Sequence, residues 1–319
     1  HTQNGICYKY LSRYTEALKE LDLSVKYWGE YEKKDQANQH AATVGKIKAY
    51  FQYGAVHGML SQSDKSIADY QKGLELAYQI NDLKLQGGLM GNLSVEYIGK
   101  GDYQRAVDYV FRSIKIFDKI HDKRSVMVTT HTLGIIFSQQ KQYDRAKVYF
   151  EKGLKMAREQ GDMNIQGEFL NSLAEIYTGQ KQYDKALEMH QKALAIHISM
   201  ENDFAANVAL IGTADLYYET KEYDSLLFYS RRSREVAEKI GSKYDRLMAD
   251  MYAARALSGL KRYNEAGRLF AELDTASVDI KELPLRSKLH EFEYSFYKDK
   301  AYVSQLYFMT NNKDLTKRF

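Results

Sequence analysis

Tyrosine recurs at positions 103, 143, 183, 223 and 263, a constant step of 40 residues, each time inside the same short motif. The copies align without gaps: Lys100-Gly101-Asp102-Tyr103-Gln104-Arg105-Ala106, then Lys141-Gln142-Tyr143-Asp144-Arg145-Ala146, Lys181-Gln182-Tyr183-Asp184-Lys185-Ala186, Lys221-Glu222-Tyr223-Asp224-Ser225-Leu226 and Lys261-Arg262-Tyr263-Asn264-Glu265-Ala266. A fixed period of this length means one supersecondary unit stacked repeatedly, each copy burying the face that its neighbour leaves open. The register continues backwards through Ser63-Asp64-Lys65-Ser66, which lacks the tyrosine, to Arg13-Tyr14-Thr15-Glu16-Ala17, where the step is nine residues longer. Lys300-Ala301-Tyr302 is a degenerate echo at the far end. A single proline, Pro284, in 319 residues leaves almost nothing to interrupt helices.

Each unit reads as two amphipathic helices, A and B. Around Tyr143, Thr130, Leu133, Gly134 and Phe137 fall on one helical face, and Ala146, Phe150, Gly153 and Leu154 on another after the turn. Gly134 and Ala146 are expected where the two helices approach closely. Between units lie Asn81-Asp82, His121-Asp122, Gly161-Asp162 and Asn202-Asp203, whose aspartates are predicted to cap the following helices. The expected organisation is one array over 1–319, with repeats at about 1–40, 41–83, 84–123, 124–163, 164–203, 204–243 and 244–282 and a degenerate capping pair at 283–319.

These residues resemble the tetratricopeptide repeat family in a 40-residue form. Helix A supplies Met90, Leu93, Ser94 and Tyr97, then Thr130, Leu133, Gly134 and Phe137, then Leu170, Leu173, Ala174 and Tyr177. Helix B supplies Ala106, Val110 and Ser113, then Ala146, Phe150 and Gly153, then Ala186, His190 and Ala193. The family proline after helix B is missing throughout, as longer helices would require. The resemblance implies an all-α fold, a right-handed superhelical solenoid of tandem antiparallel helix pairs. It says little about function, because such repeats are generic binding scaffolds.

At the amino-terminal end, Gly5 and Tyr8 take the helix A positions of a first repeat, so the chain is expected to start inside a repeat. The polar stretch from Tyr31 to Gln39 is expected to extend a helix B or form a loop. Pro284 suits the first turn of a helix carrying Leu289, Phe292 and Phe296, followed by a short helix from Tyr302 to Met309.

Chemistry is sparse. The net charge is +4, and no block of like charges suggests a nucleic-acid surface. No apolar run approaches the ~18–20 residues that span a bilayer. Cys7 alone permits neither an internal disulfide nor a cysteine zinc site, and is expected to be a buried thiol. It does not fix a compartment. A cytoplasmic setting is the expectation, and a periplasmic one stays open for part of a membrane sensor. His290-Glu291 begins like a zincin motif, but Tyr294 stands where the second histidine must be. His190 replaces Phe150 of the previous unit and reads as a packed core histidine. Gly87-Gly88-Leu89-Met90-Gly91 lies inside a helix, not between a strand and a helix as a phosphate loop requires. Neither enzyme activity nor a metal or cofactor is expected.

Spacing of 3-4-3 along each helix A marks the stripe that faces away from helix B. The family's carboxylate clamp would place Lys, Asn and Arg on these stripes in adjacent units, and that constellation is missing. The stripes instead carry Val128, His131 and Ile135; Glu168, Asn171 and Glu175; Val208, Ile211, Asp215 and Tyr218; and Met248, Met251 and Arg255. An apolar lining with carboxylates points to a non-catalytic scaffold that holds a protein or peptide segment bearing basic and apolar residues. The alternative is the sensory or regulatory region of a bacterial sensor kinase or transcription regulator.

Overall fold

The computed structural model describes residues 1–10, 13–34, 38–277, 289, 291, 292, 295 and 296. Among them there are fourteen α-helices and no strand. They form consecutive pairs: α1 (Thr2–Tyr10) and α2 (Tyr14–Lys34), α3 (Gln39–Met59) and α4 (Ser63–Gln79), α5 (Leu83–Gly99) and α6 (Tyr103–Lys119), α7 (Lys123–Gln139) and α8 (Tyr143–Gln160). The pairs continue with α9 (Met163–Gly179) and α10 (Tyr183–Ser199), α11 (Asp203–Thr220) and α12 (Tyr223–Ile240), and α13 (Lys243–Gly259) and α14 (Tyr263–Ser277). The chain divides into two compact units, His1–Met156 and Ala157–Phe319. Within the first, α1, α3, α5 and α7 touch in succession; within the second, α9, α11 and α13 do. These odd-numbered helices are the A helices of the repeats.

Pairing depends on aromatic rings of helix B pressed onto bare backbone of helix A. In the first unit, a Cβ built on Gly134 would come within 2.3 Å of the Phe150 ring, on Gly54 within 2.5 Å of Tyr70, and on Gly87 within 2.8 Å of Phe117. The exposed glycine carbonyls are also used: Ser66 donates to Gly54 O and Ser113 to Gly87 O, both at 2.8 Å. The partner of Gly134 is therefore Phe150, while Ala146, fully buried, packs at the start of α8. In the second unit two of these cradles hold histidines, His197 on Gly167 and His190 on Gly212, and a third holds Tyr223 on Gly259.

A second periodic device explains much of the tyrosine content. Tyr97 stacks on Tyr109, Phe137 on Tyr149 and Tyr217 on Tyr229, with centroids 5.5, 5.3 and 5.4 Å apart. A cation from the start of helix B covers the outer face of the A ring: Arg105 on Tyr97 at 4.5 Å, Arg145 on Phe137 at 3.9 Å and Lys185 on Tyr177 at 5.6 Å. The motif residues Arg105, Arg145 and Lys185 thus clamp the turn that the repeat preserves.

The turns close by hydrogen bonding. Lys141, Lys181, Lys221 and Lys261 all adopt left-handed backbone, with φ of 57 to 60°. After α7, Lys141 N–H reaches Ser138 O and Gln142 N–H reaches Phe137 O, which satisfies the last carbonyls of the helix. At the following helices, Asp82, Asp122 and Asp162 accept from the backbone N–H three residues on, as the spacing predicts. The fourth cap differs. Asn202, not Asp203, accepts from Ala205 N–H, and Asp203 begins α11 and pairs with Lys239 at 2.6 Å. Asparagine caps as well as aspartate does, and the acidic residue then lies in the first turn, where the helix dipole favours it.

At the amino-terminal end, α2 and α3 are both extended to 21 residues, against 17 in each of α4 to α7, and together they account for most of the lengthened first step. Leu289, Phe292 and Phe296 are buried and join the core of the second unit with Tyr252, Phe270 and Met251. Pro284, His290, the Tyr302–Met309 segment and the Cys7 side chain lie outside the described residues.

Gly134→Ala should lower stability by about 1–3 kcal/mol, because the added methyl meets the Phe150 ring in a filled core. Gly88→Ala, where the methyl would meet nothing within 4 Å, should raise stability by about 0.5–1 kcal/mol through helix propensity. Urea unfolding of both variants measures the contrast; a like sign in the two would refute the cradle.

Candidate functional site

The A-helix stripe emerges on the surface. Val128 and Val208, which share one position two repeats apart with Glu168 between them, are 49% and 53% exposed, and Val95, two turns further along its own helix A, is 54% exposed. Large apolar groups held against water have no folding reason. In the first unit, Val128 and Val95 flank a shallow cavity of about 300 Å³ over Gly88 and Gly91. His131 is half-buried with its ring 5.3 Å from Phe150, and burial pushes its imidazole down to about 4. Ile135 is half-buried as well.

The second unit contains a larger cavity, about 530 Å³. Glu175 and Thr178 of α9, Val208, Ile211 and Asp215 of α11, and Met248 and Tyr252 of α13 line it, with His190 of α10 in its wall. Tyr244 completes an apolar lip. Three carboxylates face this space, Glu175, Asp215 and Asp245, and none of the described lining residues is Lys or Arg. The Tyr252 hydroxyl donates to Asp215, and burial together with that carboxylate drives the phenol strongly upward from its ordinary range. Glu175 keeps solvent contact at the cavity mouth, yet dense protein on its flanks and the Asp215 charge raise its carboxyl. His190 is 2% exposed, and burial lowers its imidazole to about 4, against a smaller upward pull from Asp215.

The remaining stripe residues are distributed around this cavity. Glu168 is exposed, 3.4 Å from Asn164 Nδ2. Tyr218 is half-buried under Phe292, with centroids 4.9 Å apart. Arg255 lies over the Tyr223 ring, its guanidinium carbon 5.8 Å from the centroid. Two expectations are corrected. Met251 is 1% exposed and belongs to the core, because Leu289 and Phe292 join the same cluster. Asn171 is also buried, and its side-chain oxygen accepts from His190 Nδ1 at 3.4 Å. Sequence reasoning passed over Tyr252 and the outward side of His190. A signal for the latter existed: a polar ring replaces Phe150 of the preceding repeat, opposite Gly212 on the next helix A.

A second polar cluster, in the first unit, is satisfied internally. The Tyr53 hydroxyl donates to Asp22, and His57 Nδ1 lies 2.7 Å from Asp69. Among the described residues no group of His, Cys, Asp and Glu is placed to hold a metal ion, and no helix is long and apolar enough to cross a membrane.

With this geometry the comparisons agree. Tetratricopeptide repeat family models match residues 168–202 and 131–160. Those two stretches are tetratricopeptide repeats, and the helix pairs on either side have the same two-helix form. A search of curated protein sequences finds no match. Among solved structures, the fold is similar to a Signal Transduction ATPase with Numerous Domains from Pyrococcus horikoshii that has a tetratricopeptide repeat sensor, with TM-score 0.62 and 15% identity. That alignment covers 92% of this chain and 46% of the other, so the chain spans under half of that protein. It is also similar to a Rap protein complexed with Competence and Sporulation Factor, with TM-score 0.60, 13% identity, and 91% and 84% of the two chains covered. A third is the Rap conjugation gene regulator of plasmid pLS20 in complex with the Phr* peptide, with TM-score 0.61, 13% identity, and 86% and 79% covered.

Stability should fall with acid through His190. The folded chain keeps this imidazole neutral down to about pH 4, whereas the unfolded one binds a proton near 6.5. Between these values only the unfolded state takes up the proton, so folding loses about 3 kcal/mol as pH drops through that window. The raised Glu175 carboxyl acts with the opposite sign, so a paired comparison is needed. Urea unfolding at pH 7, 5.5 and 4 should show a weaker pH dependence for His190→Phe than for the unsubstituted chain. Parallel curves would mean that His190 is not shielded.

Proposed function

We propose that the chain is a non-catalytic scaffold whose second unit receives an extended or helical segment of a partner along α9, α11 and α13. The observation that carries this reading is the cavity itself, where exposed apolar groups and carboxylates share one concave surface. Val208, Ile211 and Met248 provide the apolar contacts, and Glu175 and Asp215 orient a segment bearing basic charge. In the first unit, Val128, His131 and Ile135 offer an apolar stripe of the same kind. One protein of similar fold is in complex with the Phr* peptide and another with Competence and Sporulation Factor, which supports the binding of a partner segment as a use of this architecture. A second reading is a sensory or regulatory region within a larger signalling protein. It is favoured by the similarity to a repeat sensor in a multidomain ATPase. The two are compatible, since a sensor of this fold would act by binding a segment in the groove.

The test is a charge reversal confined to Glu175. Asp215 accepts from the buried Tyr252 hydroxyl, so altering it would disturb packing as well as charge. A peptide array probed with the unsubstituted chain should select segments with a basic residue between apolar ones. Glu175→Lys should weaken that capture by about tenfold or more, with an effect that shrinks at high salt. Its helical content and melting temperature should stay nearly unchanged, because Glu175 makes no hydrogen bond or ion pair among the described residues. Equal capture by both proteins would move the site elsewhere.

A further inference from the structure

The first unit contains a cavity whose charge is opposite to that of the cavity in the second. It measures about 460 Å³ and lies among α1, α2, α3 and α5. Its apolar walls are Ile6 of α1, Trp28 of α2, Phe51 of α3 and Leu85 of α5. The Trp28 indole presses on bare backbone at Gly45, where a Cβ would come within 2.2 Å of the ring, and both residues line the cavity. Lys48 is the one charged residue among the described lining residues, and none of them is Asp or Glu. In the second unit the lining carries three carboxylates and no Lys or Arg.

Two polar lining groups stand side by side. Lys48 and Gln52 are four residues apart on α3, so their side chains leave the same helix face one turn apart. Lys48 is exposed and makes no hydrogen bond or ion pair among the described residues. Gln52 is half-buried, and its Oε1 accepts from Lys9 Nζ at 2.8 Å. An ammonium only donates, so the amide is fixed with its oxygen toward Lys9. Its nitrogen is left without a partner among the described residues. Both groups on this turn therefore offer N–H donors beside an apolar space.

We infer that this cavity binds a small apolar carboxylate as a free molecule. The carboxylate is held on the α3 turn by Lys48 and Gln52, and the hydrocarbon body lies against Trp28, Ile6, Phe51 and Leu85. A carboxylate has two acceptor oxygens and takes up a cation and a neutral N–H together, with the charged donor the stronger of the two. An amine at the same place would meet only donors, and a plain hydrocarbon would leave them unused. The volume is that of a small-ligand site, in which a largely apolar wall supplies affinity and a few polar groups fix orientation. The inference does not rest on the second unit being a segment-binding groove.

Trp28 is the only tryptophan, so the nitrogen-15-labelled full chain gives one indole N–H signal, and that signal is the readout. The probes are naphthylacetate, the uncharged naphthylacetamide, the cationic naphthylethylamine, acetate, and the end-blocked peptide Ala-Phe-Glu-Ala. Naphthylacetate should shift the signal to saturation. Naphthylacetamide should bind about fivefold more weakly, naphthylethylamine more weakly still, and acetate, which lacks the apolar body, should leave the signal in place. Lys48→Met keeps most of the aliphatic stem and removes the charge. It should weaken naphthylacetate about fivefold and leave naphthylacetamide unchanged. Naphthylacetamide or naphthylethylamine binding as tightly as naphthylacetate would overturn the assignment to an anion, and so would naphthylacetate binding unaltered by Lys48→Met. Acetate binding as tightly would remove the role of the apolar wall. The peptide binding as tightly would overturn the assignment to a free molecule in favour of a partner segment. No shift with any probe would overturn the site.

Discussion

The fold depends on a ring from helix B resting on the bare backbone of helix A. At Gly54, Gly87 and Gly134 a methyl group would collide with Tyr70, Phe117 or Phe150, so glycine is required by the partner and not by its own dihedrals. Glycine inside a helix costs roughly 1 kcal/mol against alanine. The contact that it permits, a large ring fully desolvated between two helices, returns more than that. The pairs α3 and α4, α5 and α6, and α7 and α8 are each held by such an interlocking contact, with little burden on any single long-range one.

The same device produces the candidate site. In the second unit, histidines take the places of two of these rings: His197 lies on Gly167 of the helix A of its own pair, and His190 lies on Gly212 of the next helix A. His190 keeps the core filled while leaving one polar edge at the surface between helices. The carboxylates Glu175 and Asp215, one repeat apart, then face a space that the stacked A helices leave open. In the proposed reading, a polar substitution within a packing position supplies part of the recognition surface.

Electrostatics divides in the same way. The clamp of cation on ring on ring at Arg105, Tyr97 and Tyr109 is local, exposed on its outer side and repeated with the motif. The cavity groups are few and partly dehydrated, which is why Glu175 and Tyr252 move upward and His190 downward from their ordinary values.

The sequence by itself determined the helix pairs, the A and B faces and the stripe that contains Val128, Glu175, Val208 and Asp215. These follow from helical period and from caps and turns that act over three to five residues, and Asp82, Asp122 and Asp162 cap as their spacing dictates. The choice of Asn202 over Asp203 was not legible, because both residues suit a cap and only the exact start of α11 decides. The tertiary structure alone decided the site. Met251 falls on the same stripe as Ile211 but is buried with Phe292, which lies 41 residues further along the chain. Asn171 meets His190 across 19 residues, and Asp215 meets Tyr252 across 37. Such contacts depend on how far each helix is rotated and shifted against its neighbours. That is set by the side chains packed between helices, and no periodicity within one helix encodes it.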